Sequence, residues 1–123
     1  MEQSLYHRLG GYDAIAAIVD DWLGRLRDDP LFSRFRLGRS IDSRNRSRQL
    51  LVDQVCGLSG GPCLYIGRDM KTSHAGMAIT EDEWEANIQH IVSSLQKFRI
   101  PQMEQQEFLE LIHRYKDEIV EKG

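Results

Sequence analysis

The sequence has few cysteines, no long apolar run and little net charge, and each of these shortages excludes a class of protein. Two cysteines, Cys56 and Cys63, are too few for a disulfide framework. Their spacing also differs from the CxxC pattern of zinc sites and thioredoxin-like sites. Cysteine usage therefore favours the cytoplasm as the compartment.

Membrane and nucleic-acid partners are excluded on similar grounds. No apolar run approaches the roughly 20 residues that span a bilayer, and the start of the chain lacks the charged and then apolar order of a secretory signal. Sixteen Lys and Arg against nineteen Asp and Glu give a net charge of −3, too acidic for retention on phosphate backbones by overall charge. A phosphate-binding loop is excluded too, because Gly60-Gly61 is followed by proline.

What the sequence does contain is the pattern of a folded helical domain. Apolar residues make up 41% and charged residues 28% of the chain, close to the averages of globular proteins. A length of 123 residues suits one domain, which we predict over 1–123. Apolar residues recur at three- and four-residue steps nearly everywhere, and this spacing predicts an all-α fold.

The first two substantial helices are bounded by glycine and proline. One helix is predicted to begin after Gly10-Gly11, with Asp13 as its cap, and to stop near Asp29-Pro30. The next is predicted over 43–58, and the helix-breaking residues from Gly60 onward end it.

Two further helices follow in the second half of the chain. Thr80 and Glu83 match a capping box, so a helix is predicted to begin there and to end at Pro101. A last helix is predicted from one apolar face that carries Phe108, Leu111, Ile112, Tyr115 and Ile119.

The connection between Leu58 and Thr80 is unusually long for a compact domain. It contains at most one short helix, near 69–76, and a second short helix is predicted near Leu5. Long connections of this kind inside a domain are usually functional. We therefore expect a bound group to organise this segment.

One histidine differs from the other three. His74 shares a helical face with Met70 and Met77, whereas the others lie off the apolar stripes and are expected to face solvent: His7, His90 and His113. His74 is interpretable as a partly buried histidine bonded to a backbone carbonyl. The alternative is an iron ligand, because a single neutral imidazole holds the haem of globins.

Other chemistry is less favoured by the residues. The positions one helical turn from His74 hold methionines, so a metal site of several protein ligands is not expected. Cys56 is expected to be a small core residue, and Cys63 a moderately exposed thiol. Six arginines form either a solvated basic face or, with Arg68 and Lys71, partners for haem propionates: Arg34, Arg36, Arg39, Arg44, Arg46 and Arg48.

Several motifs together resemble one known family. The stretch 60–77, GGPCLYIGRDMKTSHAGM, closely resembles the signature region of truncated haemoglobins, particularly their first group. Leu5-Tyr6 with Leu9-Gly10-Gly11 resembles the N-terminal motif of that family, and Phe32 with Phe35 resembles its aromatic cluster. The resemblance covers roughly residues 4–119.

The resemblance implies a two-on-two globin-like helical sandwich that holds haem b. The first helix of this fold is vestigial, and the proximal segment is largely a loop. By position His74 matches the proximal iron ligand, and the other residues implied in haem binding are Phe35, Leu51, Tyr65, Met70, Lys71 and Met77. Among them, Phe35 would pack on the ring, and Tyr65 and Lys71 would contact the propionates.

The distal side departs from the commonest pattern of the family. Many first-group members have a tyrosine where this chain has Leu23, after Trp22. Positions that are often polar in the family are Leu50 and Leu51 here, so Ser47 and Gln54 are the only polar candidates. We therefore expect a largely apolar distal pocket, quick oxygen release and a five-coordinate ferrous form.

The resemblance favours a protein that binds oxygen, carbon monoxide or nitric oxide, as a carrier or scavenger. One alternative is a nitric oxide dioxygenase, which would need a separate reductase because the chain has no flavin or nicotinamide domain. A gas sensor or a haem-free helical interaction module is the other alternative.

Overall fold

The helices confirm the all-α prediction. The computed structural model describes residues 3–35, 41–67, 69, 71, 74 and 77–121, with only the backbone for Arg34, Ile41 and Asp42. Within these residues the helices are α1 (Leu5–Leu9), α2 (Tyr12–Asp28), α3 (Ile41–Leu58), α4 (Glu81–Lys97), α5 (Gln102–His113) and α6 (Lys116–Ile119), and a 3-10 helix covers Pro30–Phe35. Lys71 and His74 also have helical backbone.

The helices pack as a two-on-two sandwich around one apolar core. Helix α2 packs against both α3 and α4, α4 packs against α5, and α1 contacts α2 and α5. The largest fully buried apolar side chains come from the long helices: Ile15, Ile18, Val19, Val52, Trp84, Ile91, Leu95 and Phe108. No described helix combines the length and apolar character needed to cross a membrane.

Two glycine pairs allow the short helix α1 to pack against the end of α3. Gly10 and Gly11 have φ values of +112° and +88°, which favour glycine, and they join α1 directly to α2. The backbone N–H of Tyr6 donates to the carbonyl of Ser59 at 2.8 Å. A Cβ atom at Gly61 would lie 2.4 Å from the Tyr6 ring, so this contact requires glycine.

Several helix boundaries differ from the predicted ones. Gly11, not Asp13, is the N-cap of α2, and Asp13 lies in the first turn, where its carboxylate interacts favourably with the helix dipole. Helix α3 begins at Ile41, two residues before the predicted start. The predicted last helix is two helices, because the chain leaves helical geometry at Tyr115.

The boundaries of α4 match the prediction at one end only. The capping box is present, since Glu83 N–H donates to Thr80 Oγ1 at 3.1 Å and Thr80 N–H donates to Glu83 Oε1 at 2.9 Å. The helix ends at Lys97, before Pro101, because Arg99 adopts a left-handed conformation with φ +56°. Pro101 precedes α5 instead.

His90 does not face solvent as the helical phase predicted. Its Nε2 lies 2.8 Å from Oδ2 of Asp29, at the C-terminal end of α2, and its ring packs edge-on near Phe32. The apolar stripe of α4 faces the core, but a second face of this helix also contacts α2 and the 3-10 helix. His7 and His113 are exposed, as predicted.

Asp21 forms a second polar link between α2 and α4. Its carboxylate accepts hydrogen bonds from Ser94 Oγ at 2.7 Å, Lys97 Nζ at 3.0 Å and Arg25 Nε at 2.7 Å. Burial raises the pKa of Asp21, but these hydrogen bonds outweigh burial and hold the pKa well below its usual range. The ionised carboxylate therefore stabilises the contact of α2 with α4.

Asp21→Asn is expected to lower the free energy of unfolding by about 1–3 kcal/mol at pH 7, because a charged acceptor of three hydrogen bonds is lost. Since the pKa is lower in the folded chain than in the unfolded chain, this stabilisation is complete above about pH 4. It is lost as the pH falls through the folded-state pKa. Urea unfolding should therefore show a difference between wild type and variant that shrinks below about pH 4.

Asp28→Asn is the matched control on the same helix, because the Asp28 carboxylate is 81% exposed. It should change the urea midpoint little at any pH. A difference between wild type and Asp21→Asn that is the same at about pH 7 and about pH 2.5 would contradict the assignment.

Candidate functional site

A cavity of about 660 Å³ lies among the helices. Its wall is formed by α2, the 3-10 helix, α3 and α4, by side chains between α3 and α4, and by Ile112, Tyr115 and Ile119 near the C-terminal end. Most of the lining side chains are apolar. A volume in this range is typical of sites for small molecules and cofactors.

The structure brings most of the predicted site residues to this cavity. Nine of the eleven line it: Leu23, Phe35, Ser47, Leu50, Leu51, Gln54, Tyr65, His74 and Met77. Lys71 is exposed and is not part of the wall. Met70 lies outside the described residues.

His74 is the histidine that the cavity wall contains. Its side chain is half-buried, and its carbonyl accepts from the backbone N–H of Met77 at 3.2 Å. His7, His90 and His113 do not line the cavity. In the described part of the chain no group of three or more His, Cys, Asp or Glu residues is placed to hold a metal ion. The wall thus offers one imidazole in largely apolar surroundings.

Tyr65 is folded over Gly67 at the cavity wall. A Cβ atom at Gly67 would lie 2.4 Å from the Tyr65 hydroxyl oxygen, so the ring occupies the space that a side chain would need. Burial, with a contribution from the charge of Asp69, raises the pKa of Tyr65. The phenol is therefore neutral at physiological pH.

Cys56 and Cys63 form a disulfide, which corrects the expectation of a free thiol at Cys63. The two Cα atoms are 5.7 Å apart, within the usual range for a disulfide, because the chain turns back after α3 at Gly60, whose φ is +96°. Cys56 is fully buried, as predicted. The bond attaches the segment that carries Tyr65 and His74 to the last turn of α3, and it removes the cysteine argument for the cytoplasm.

Part of the basic cluster reaches the cavity. Arg44 and Arg48 of α3 line it, together with Arg27 of α2. The Arg48 guanidinium donates two hydrogen bonds to Asp20, at 2.6 and 3.0 Å, which raise its pKa against the effect of burial. Arg46 is exposed and is not part of the wall. Arg36, Arg39 and Arg68 lie outside the described residues, and Arg34 is described in its backbone only.

Asn87 is a polar residue of the cavity wall that the sequence analysis missed. Its Oδ1 accepts a hydrogen bond from Nε1 of Trp22 at 2.8 Å, and both side chains line the cavity. The signal was present, because Asn87 lies three residues after Trp84 and four before Ile91, on the apolar stripe of α4. A polar side chain at such a position needs a partner or a function.

Trp84 is a further residue of the same wall. It is 1% exposed, and among the described residues its Nε1 is the buried side-chain nitrogen or oxygen that has no hydrogen-bond partner. Its ring packs edge-on against His113. A buried donor without a partner is costly and therefore rare in folded proteins.

The comparisons with known proteins agree with this geometry. The family model of bacterial-like globins matches residues 4–121. A group 1 truncated hemoglobin of Mycolicibacterium paratuberculosis is 30% identical over 98 residues, which are 80% of this chain and 70% of the relative. Another group 1 truncated hemoglobin, from Nostoc commune, is 30% identical over 88 residues, or 72% of each chain.

Solved structures of truncated haemoglobins have the same fold. The Fe(III) form of the Tetrahymena pyriformis protein superposes with a TM-score of 0.87 at 23% identity, covering 96% of this chain and 98% of that one. The structure of Chlamydomonas reinhardtii THB1 gives a TM-score of 0.80 at 25% identity, covering 97% and 98%. The two-on-two arrangement of the helices is thus shared with these proteins.

Reduction of the disulfide is expected to lower the free energy of unfolding by about 2–3 kcal/mol, because a short closed loop no longer restricts the unfolded chain. Urea unfolding of the wild type with and without a dithiol reductant measures this difference. Cys63→Ser should have the lower stability in both conditions and should not respond to the reductant. Equal midpoints for oxidised and reduced wild type would contradict the role of the bond.

Proposed function

The chain belongs to the bacterial-like globin family, and from this premise we propose that it reversibly binds a diatomic gas at a haem b held by His74. Family membership implies a haem-binding globin and supports oxygen, carbon monoxide and nitric oxide as the class of ligand. In this proposal His74 is the proximal ligand, and the opposite axial position is open to the gas.

The residues of the cavity fit a haem group. The volume suits a cofactor, and the mostly apolar lining matches the apolar ring. One imidazole is available at the wall, and Arg44 and Arg48 at the same cavity suit the two propionates.

The observation that carries the proposal is the placement of His74. It is the histidine that lines the cavity, and it shares the wall with Leu23 of α2 and Leu50 of α3, two residues predicted to face the gas. One imidazole in a mostly apolar wall suits an iron that keeps one position open. His90 is held by Asp29 away from the cavity wall, so it is not a competing axial ligand.

The haem supplies an iron that binds the gas, and the chain controls its surroundings. His74 would hold the iron through an imidazole nitrogen, and Phe35, Leu51 and Met77 would shield the group from water. Tyr65 offers a neutral phenol, and Lys71, although exposed, stays a predicted propionate partner. We also retain Met70 as a predicted contact of the haem.

The remaining parts of the proposal concern the protein as a whole. We take residues 1–123 as one globin domain, and we keep the cytoplasm as its predicted compartment. In a reducing compartment the Cys56–Cys63 pair would be present as two thiols, so the two states of this pair belong to different environments. Oxygen transport and nitric oxide turnover with a separate reductase stay predictions.

Absorption spectra of hemin-reconstituted protein test the proposal, in the ferric state, after reduction with dithionite, and under carbon monoxide. We expect a five-coordinate ferrous spectrum that shifts cleanly when carbon monoxide binds. His74→Ala should lose the ordinary ferrous spectrum, and added imidazole should restore it in part, since the variant opens a space for a free ligand.

His7→Ala is the matched control, because His7 is an exposed histidine outside the cavity. Its spectra should match those of the wild type. A six-coordinate ferrous spectrum would contradict the open axial position, and the absence of specific haem uptake would refute the proposed function as a whole.

A further inference from the structure

The amide of Asn87 occupies an unusual place in the cavity. It is a half-buried side chain on the mostly apolar stripe of α4, and it forms part of the wall. Helix α4 is set against α2 at this point, because Trp22 Nε1 donates to Asn87 Oδ1 at 2.8 Å. The amide is therefore held between two long helices and is not free to turn into solvent.

The bond with Trp22 also determines which way the amide points. An indole N–H can only donate, so the atom that faces Trp22 must be the carbonyl oxygen of Asn87. The amide nitrogen, Nδ2, is then directed away from Trp22, and it donates to no residue in the described part of the chain. Because Asn87 is a residue of the cavity wall, an occupant of the cavity is a candidate acceptor for these N–H groups.

The same bond places Asn87 on the side of the cavity that belongs to α2. Trp22 directly precedes Leu23, the α2 residue of the wall that is predicted to face the gas. His74, in contrast, comes from the segment between α3 and α4. Asn87 is thus joined to the wall formed by α2, while the proposed iron ligand comes from a different part of the chain.

We propose that Nδ2 of Asn87 is the hydrogen-bond donor to the diatomic ligand, and that Trp22 is the positioning residue that orients it. This inference rests on the proposed function. Oxygen held by ferrous haem carries partial negative charge and is retained by a donor, whereas carbon monoxide depends on a donor much less. Asn87 would therefore slow the quick oxygen release that the apolar residues of α2 and α3 alone would produce.

Ser47 and Gln54, the two other polar candidates, are less well positioned to donate a hydrogen bond to the ligand. Ser47 is exposed. Gln54 lines the cavity, but its amide makes no hydrogen bond with the described residues, so nothing described fixes its orientation. A longer side chain that must be ordered on binding loses more conformational entropy than one that is already held.

The first test compares oxygen dissociation rates of haem-loaded wild type, Asn87→Leu and Gln89→Leu, measured by displacement with carbon monoxide. Leucine has nearly the shape of asparagine but no donor, so Asn87→Leu should release oxygen roughly 5- to 100-fold faster. Gln89 is an exposed amide on the same helix, and Gln89→Leu should match the wild type. The C–O stretching band of the carbon monoxide form should move to higher frequency in Asn87→Leu alone.

The second test separates the donor from the structural bond with Trp22. Asn87→Asp keeps an oxygen that accepts from Trp22 but replaces the amide nitrogen by a carboxyl oxygen. Oxygen release should be slow where the introduced carboxyl is protonated and can donate, and fast where it is ionised. This pH dependence should be absent from the wild type, and Trp22→Phe should accelerate release less than Asn87→Leu does.

The possible results distinguish this inference from the proposed function. If wild type binds haem and gas but Asn87→Leu leaves the oxygen dissociation rate and the C–O band unchanged, the inference is wrong and the proposed function stands. A larger acceleration in Gln54→Leu than in Asn87→Leu would assign the donor to Gln54 and overturn the inference. Failure of the wild type to take up haem would overturn both.

Discussion

The open space inside the chain is the constraint on which the rest of the structure depends. A chain of 123 residues has a small core, and here its long helices line a cavity of about 660 Å³ that their side chains do not fill. Apolar side chains that line a cavity have fewer packing partners than side chains in a filled core. An apolar occupant would restore packing along these walls, so binding and folding are expected to be coupled in this protein.

Polar bonds between α2 and α4 keep the two walls of this cavity in a defined position. Asp21 bonds to Ser94 and Lys97, Trp22 bonds to Asn87, and the end of α2 bonds to His90. Apolar contacts are non-directional and tolerate sliding of one helix along another, whereas hydrogen bonds at several points along the helices select one arrangement. The polar residues thus fix the arrangement of the two helices, and the apolar residues favour an apolar group in the cavity between them.

Much of the fold could be predicted because its signals are local. The capping box at Thr80 and the spacing of His74 and Met77 each depend on a few neighbouring residues. The structure contains the capping box, and it places His74 and Met77 at the cavity. The disulfide of Cys63 could not be predicted, since it depends on how sharply the chain turns after α3. The role of Asn87 depends on a partner on another helix, which periodicity within one helix does not reveal.

The Cys56–Cys63 disulfide affects the products of limited proteolysis. Cys56 and Cys63 enclose the end of α3 and the turn at Gly60, where the backbone is exposed at Gly57 and Gly60. A protease that cleaves one peptide bond inside this ring leaves the two halves of the protein covalently joined. Such a nicked chain would migrate as one species on a gel without reductant and would separate into two fragments of similar mass once reduced.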